Sequence, residues 1–562
     1  MPRMTGAEYL AKALKGYGVT HIFFVPAILS RTMALMDLEE TGISRIITHG
    51  EKAAVYMADG FARASGRPGI TMAQNVGGLN LAAGLRDPYL GCSPVIAFTG
   101  GYDPLLRYRY DYQEAEDFNA FEAVTKFNAY VDDVRRFPDL IRQAFRSATT
   151  GTPGPVHLRF RGKNGLSEEE EAVLEVLTEE QFSHYPPFRP EPEMEHVRKS
   201  ARLLGAAKKP IIVAGGGVRI SGAKRELVEL AEKLQIPVAT SLNGKEVIPG
   251  NHPLSVGVVG TYSRRSANQL VCEADLVFFV GTRTGGMTTH TWRVPKIGTP
   301  AIQLDINAED LGRNYPLQAA ILGDAKVSLR KLIDAADAST AASRKAWVER
   351  SQKVVGDWRV EFSPLLNSDS SPVRPERICK EMTEHLPSDA FVVSDTGHSG
   401  MWTGGCLDLN SPDQGYVRCA GHLGWGFPAA LGAKCALPKR PVVLFSGDAG
   451  FWYHIGELET AVRWNINAII VVNNNCSQNQ ETKSFARVYG GQQRANSRQL
   501  WTFKDTNLSK VAESMGAYAI RVERPSDLKG ALEKALSIKN TPVVVEVVSD
   551  IEALAPVAYV GE

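Results

Sequence analysis

Residues 447–475 read GDAGFWYHIGELETAVRWNINAIIVVNNN, and this stretch decides the fold. The segment before it, PVVLFS, is a short apolar run of β type, and INAIIVV near its end is a second. Between them Ile455, Leu458, Ala461 and Val462 recur at helical spacing, so the predicted order is strand, glycine turn, helix, strand. A turn opening a helix offers unpaired backbone N–H groups and the positive end of the helix dipole, which suits a phosphate. Asp448 sits in that turn, and the asparagines fall where the second strand should end. In a parallel sheet both strand ends reach one edge, where ligands bind. A carboxylate, an amide oxygen and a diphosphate meeting there make an all-oxygen site suited to Mg2+.

The chain has 562 residues, enough for three or four domains of ~100–200 residues. Lys and Arg total 63 against 62 Asp and Glu, a net charge of +1 that gives no bulk basic excess for nucleic acid or an anionic membrane. The seven cysteines are dispersed, with no pair at zinc-ligand spacing, and read as reduced thiols of a cytoplasmic protein. The opening MPRMTGAEYLAKALKGYG is amphipathic and lacks a signal peptide's apolar core. No uncharged run approaches the ~18 apolar residues of a membrane span.

The quoted stretch resembles the signature of thiamine diphosphate (ThDP) enzymes, Gly-Asp-Gly followed after a fixed gap by Asn-Asn. Asn475 lies 27 residues after Asp448, which fits. Ala449 replaces the signature's second glycine, a methyl group that is tolerable where φ is negative. Nearer the start, HGEKAAVYMADGFARASGRPG resembles the block that carries the activating glutamate of acetolactate synthase-like members, here Glu51. By composition alone, a glutamate at a helix start is explained by the helix dipole. The resemblance implies more: a carboxyl protonated by burial, hydrogen-bonded to the cofactor's pyrimidine and promoting ionisation of its thiazolium C2.

The same resemblance runs along most of the chain. Tyr112-Gln113-Glu114 matches a Phe-Gln-Glu segment, making Gln113 a candidate for polarising a substrate carbonyl; a solvated loop glutamine explains it equally well. FVVSDTGHSGMW matches a block in which Gly397 and His398 approach the diphosphate, with His398 replacing a glutamine and still able to donate. CAGHLGWGFPAALGAK matches the wedge block: Leu423 holds the cofactor bent, and the Gly421 carbonyl accepts from its 4′-amino group. Gly447, Asp448, Ala449 and Gly450 would adjoin the diphosphate, with Mg2+ held by Asp448, Asn475 and Ser477. Glu481 stands at the offset of a proton-relay glutamate in decarboxylase-like members.

The expected architecture is α/β, three doubly wound parallel-sheet domains: 1–185 for the pyrimidine, 186–345 central, and 346–562 for diphosphate and Mg2+. An exposed connector at about 164–195 includes the acidic run Glu168–Glu171. In the central domain Gly215-Gly216-Gly217 lacks a full dinucleotide fingerprint. Gly281-Thr282-Arg283 resembles an FAD-contacting segment, and Asp305 and Asp324 could meet ribose or adenine or serve as caps. FAD and ADP both stay open.

The resemblance is to the acetolactate synthase / pyruvate oxidase / 2-hydroxyacyl-CoA lyase superfamily. It implies a lyase or carboligase acting on a 2-oxo acid through an enamine (activated aldehyde). The alternatives are a lyase that splits 2-hydroxyacyl-CoA into aldehyde and formyl-CoA, and a 2-oxo acid decarboxylase. Acetolactate synthases carry a Trp after the metal loop that selects the second substrate; here none occurs before Trp501. A silent regulatory subunit should have lost Glu51 or Asp448, and a nicotinamide oxidoreductase would rest on the triple glycine alone. The family places its active sites between chains, so a homodimer or homotetramer is expected.

Overall fold

In the computed structural model, which describes residues 2–492 and 494–561, three six-stranded parallel sheets follow one another along the chain. The first contains His21–Phe24, Ser44–Ile47, Gly69–Ala73, Val95–Gly100, Phe127–Val131 and Val156–Phe160. Numbered in chain order, these strands lie side by side as 2-1-3-4-6-5. The third sheet has Phe391–Ser394, Gly415–Arg418, Val442–Gly447, Ile469–Asn474, Tyr518–Val522 and Val543–Val548, in the same spatial order. The middle sheet, between Pro210 and Leu322, runs 3-2-1-4-5-6. Parallel strands covered on both faces read as unbroken apolar runs. Val442 to Phe445 and Ile470 to Val472 are accordingly fully buried.

The first and third domains share one apolar core. At its centre the helix Glu51–Ser65 packs against the helix Gly426–Ala436. A Cβ on Gly60 would lie 2.0 Å from the Ala429 carbonyl oxygen, and one on Gly432 would lie 1.8 Å from that of Met57. Only glycine permits so close an approach. Beside this contact sits a buried charged cluster of Asp59, Arg63 and Asp87, whose side chains are at most 3% exposed.

Three expectations are corrected. The segment after Gly450 forms two short helices, Asp448–Trp452 and Glu457–Arg463, because the chain turns at 453–456 instead of continuing one helix. Glu168 is not part of an exposed connector: it is buried, accepting the N–H groups of Arg31 (3.0 Å) and Thr32 (2.8 Å) and so capping the helix Ser30–Leu38. Glu171 opens a short strand, Glu171–Val173, that pairs antiparallel with Arg3–Thr5. No helix among the described residues is long and apolar enough to cross a membrane. All seven cysteines are free.

Candidate active site

The third sheet reverses its winding between Phe391–Ser394 and Val442–Gly447, neighbours whose crossovers leave in opposite directions. Their carboxyl ends diverge to open a crevice, the usual ligand position in such sheets. A cavity of about 290 Å³ lies there. The loop after the first of these strands contributes Gly397 and His398, and the second leads into Gly447, Asp448, Ala449 and Gly450. The wedge turn contributes Gly421 and Leu423, and the loop after Ile469–Asn474 contributes Asn475, Ser477 and Glu481. Ala449 lies in the first turn of Asp448–Trp452, outside the positive-φ residues, so its methyl group is accommodated.

Asp448 is 2% exposed and its Oδ2 has no hydrogen-bond partner; the Oδ1 of buried Asn473 likewise has none. Burial pushes the Asp448 carboxyl up to about 7, although backbone N–H groups pull the other way. Unpaired buried oxygens are costly and call for a partner. Both line the same cavity as Asn475, whose Oδ1 accepts from Ser477 Oγ at 3.0 Å. This oxygen-rich set suits a hard divalent cation such as Mg2+. The first turn of Asp448–Trp452 has N–H groups with no partner inside the helix, which suit a diphosphate beside it.

Glu51 and Gln113 do not line this cavity in their own chain. Glu51 is half-buried at its helix start and accepts from Asn80 Nδ2 at 3.0 Å. Gly77 lies so close that a Cβ there would be 2.7 Å from Glu51 Oε1. Gln113, at φ 66°, donates from Nε2 to Gln74 Oε1 (3.3 Å), and its carbonyl accepts from Asn75 Nδ2 (2.5 Å). Its own Oε1 is buried without a partner. Both residues therefore converge on the turn 74–80 after the strand Gly69–Ala73, the corresponding edge of the first sheet.

The first domain matches the N-terminal TPP binding domain of thiamine pyrophosphate enzymes over residues 4–121. Residues 197–332 match the central domain and 395–547 the C-terminal TPP binding domain of the same enzymes. The chain is 32% identical to a probable acetolactate synthase large subunit of Methanocaldococcus jannaschii, over 99% of this chain and 94% of that one.

The chain belongs to the thiamine pyrophosphate enzyme family.

Acetolactate synthase large subunits of Haemophilus influenzae (27%, 100% of this chain and 97% of that one) and Escherichia coli (isozyme 1, 29%, 98% and 95%) are similar over nearly their whole length. This thiamine pyrophosphate enzyme is thus acetolactate synthase-like, and thiamine diphosphate is its cofactor.

Sequence reasoning missed three contributors to the site of this ThDP enzyme. Asp395, fully buried at the end of the strand Phe391–Ser394, accepts from the N–H groups of Thr396 (2.7 Å), Gly424 (3.2 Å) and Gly426 (3.1 Å). Burial pushes its carboxyl up to about 6, against those hydrogen bonds. Its place at the winding reversal was the signal. Asp87 and the central-domain Tyr262, which lines the cavity, gave no signal in sequence.

The central sheet also reverses its winding, beside a crevice of about 350 Å³ lined by Gly217, Gly281, Arg283 and Arg418. The triple glycine serves packing: a Cβ on Gly217 would lie 2.7 Å from Gly281 Cα. Asp324 is a cap, accepting from Lys326 and Val327 N–H and pairing with Arg189. Asp305 accepts from Asn307 N–H at 3.0 Å, and burial raises its carboxyl to about 6.

Proposed function

We propose that this enzyme forms or breaks the carbon–carbon bond beside the carbonyl of a 2-oxo acid, with ThDP and Mg2+ bound at the third-domain cavity. The observation that carries this is the pair of buried, unpartnered oxygens, Asp448 Oδ2 and Asn473 Oδ1, beside the first-turn N–H groups of Asp448–Trp452. When bound, ThDP supplies a nucleophilic carbon and an electron sink. Asp448, Asn475 and the Ser477 carbonyl hold the cation, and Gly397, Gly447, Ala449 and Gly450 border the diphosphate. Leu423 and Gly421 line the same cavity; with ThDP bound, the Leu423 side chain would pack against it and the Gly421 carbonyl would be an acceptor for its amino group. Glu51 holds a proton at the pyrimidine, Gln113 orients the substrate carbonyl, and Glu481 relays protons at the cavity mouth.

Glu51 does not line the cavity that Asp448 lines in its own chain, which supports a homodimer, or a tetramer of such dimers, with each site drawn from two copies. The free thiols favour a cytoplasmic setting. Arg283 and Arg418 of the central crevice suit the phosphates of FAD or ADP, and Asp305, in an adjoining pocket that shares Arg283, suits the adenosine; flavin absorbance of the purified protein decides between them.

One observation favours a second reading, cleavage of a 2-hydroxyacyl-CoA to aldehyde and formyl-CoA, or simple decarboxylation. The cavity rim after Ser477 is polar, with Gln478, Asn479, Gln480 and Glu481. Trp501 is buried and does not itself line the cavity, although its carbonyl accepts from the rim residue Gln478 N–H at 2.7 Å. Incubation with ThDP, Mg2+ and pyruvate, and separately with 2-hydroxyacyl-CoA thioesters, followed by mass spectrometry of products, tests both. Acetolactate and CO2 from pyruvate establish the first reading; formyl-CoA or acetaldehyde in its place establishes the second.

A further inference from the structure

Glu51 opens its helix without a side-chain cap: the N-cap is Gly50, which has none to offer. Placement of this acid therefore falls to the backbone of residues 47–50, which leaves the strand Ser44–Ile47. The first domain holds that loop at Thr48, whose N–H donates to the Phe24 carbonyl and whose hydroxyl donates to the Gly50 carbonyl, each at 3.0 Å. A second grip comes from the third domain, through the helix Glu457–Arg463. Glu457 Oε1 accepts the His49 backbone N–H at 2.9 Å, while its Oε2 accepts the Thr460 hydroxyl at 2.8 Å. His49 Nε2 lies 2.7 Å from Glu459 Oε2, and Arg463 donates to the Ile47 carbonyl at 2.9 Å. Glu457 is 2% exposed, so its bond to His49 is made away from competing water.

In sequence Glu457 follows Asp448 by nine residues, and proximity alone would make it a support for the cation turn. Its side chain does not line the cavity that Asp448 lines; it reaches the loop that delivers Glu51. We propose that Glu457 is a positioning residue for Glu51 of its own chain, and so acts on the site that Glu51 completes, not on the one that Asp448 builds. Without Glu457 the His49 N–H loses its acceptor, and the loop 47–50 is free to shift against Asn80, which receives the Glu51 carboxylate at 3.0 Å. A displacement of about 1 Å caused by a change far from the chemistry costs about 100-fold in rate. The helix that follows the cation turn of one site thereby steadies the acid of the neighbouring site.

The assignment rests on the reading that Glu51 and Asp448 of one chain serve different sites, and subunit mixing separates the two. The readout is deuterium exchange at C2 of ThDP bound to the holoenzyme, which reports the task given to Glu51 and needs no substrate. Glu457→Ala should slow exchange about tenfold or more. Glu457→Gln, whose amide oxygen still accepts from His49, should keep most of the wild-type rate. Mixed with Asp448→Ala, Glu457→Ala should regain wild-type-rate exchange at about a quarter of the wild-type amplitude, because each mixed dimer holds one site with both residues undisturbed. Mixed with Glu51→Gln it should regain none, since both sites of the mixed dimer then have an impaired first-domain half. Recovery with Glu51→Gln, recovery with neither partner, or unslowed exchange in Glu457→Ala overturns the proposal. Arg463→Ala removes the anchor at Ile47 and should give the same mixing pattern with a smaller loss; it is the deciding variant if Glu457→Ala does not fold. Glu51→Gln mixed with Asp448→Ala is the control, and its failure to recover overturns the reading of a site shared between chains, and this assignment with it.

Discussion

The carboxylate of Asp87, in the first domain, accepts the backbone N–H of Gly421, in the third, at 3.1 Å. It also accepts those of Ala420 (2.9 Å) and His422 (3.2 Å). These three amides run directly into Leu423. On its other side, the Trp425 indole N–H donates to Asp59 at 2.8 Å, and Arg63 joins Asp59 to Asp87. The wedge turn is thus fixed from outside its own domain.

Asp87→Ala strands three part-buried N–H donors and removes one partner of the buried Arg63. A loss of about 3–5 kcal/mol in unfolding free energy is expected. Turnover should fall further than ThDP affinity does, since the turn that shapes the cofactor loses its anchor. Denaturant unfolding and steady-state kinetics on the same preparation check this.

Glu51→Gln should reduce turnover about 100-fold or more with the fold intact, the scale of a lost acid–base group. Asp448→Ala should be inactive as well. If one site takes Glu51 from one chain and Asp448 from its partner, mixing the two variants rebuilds one good site in each mixed dimer. Random reassortment then restores about a quarter of wild-type activity. No recovery after subunit exchange would place both residues in one chain.

Removal of divalent cations should release ThDP, because the diphosphate's own charge is left facing the Asp448 carboxylate. Re-adding Mg2+ should restore binding to the wild type and not to Asp448→Ala. Dialysis against chelator followed by equilibrium binding gives the result.

Asp395 supplies the pH dependence. Its carboxyl is raised from 3.8 to about 6, so the folded state holds its proton more tightly than the unfolded state. That stabilisation is fully present below the unfolded value, and is lost as pH rises through about 6. The swing is about 3 kcal/mol at 1.36 kcal/mol per unit. Comparison of wild type with Asp395→Asn by denaturant unfolding should show the wild type losing ground between about pH 4 and pH 7. A constant difference across that range would refute the shift.

The strand–turn–helix–strand order around Asp448 was legible because PVVLFS and AIIVV are long apolar runs with a glycine turn between them, and the turn carries the chemistry. Gly447 to Gly450 and Asn475 followed from that local grammar, whereas Asp395, at the end of the neighbouring strand, did not. Glu168 was hidden: in a run of four glutamates nothing marks the one that turns inward to cap a helix at Arg31 and Thr32, 137 and 136 residues earlier. Asp87 was hidden for a similar reason, since GLNLAAGLRDPYLG offers no hint that this carboxylate meets amides of residues 420–422. The His398 ring is held by Asn479 Oδ1, and Asn479 in turn by the carbonyls of Ile551 and Ala553. Such properties belong to partners that only the folded chain brings together.

Gly60 and Gly432 each lean on the opposing backbone where the first and third domains meet. The two hydrogen atoms there, the least bulky groups a chain can offer, set the gap between the half of the protein carrying Glu51 and the half carrying Asp448. Adding a single methyl at either position would jack those halves apart, shifting the registry between the Asp87 anchor and the turn it grips. Catalytic timing in this enzyme would then be lost at a spot that touches neither substrate nor cofactor.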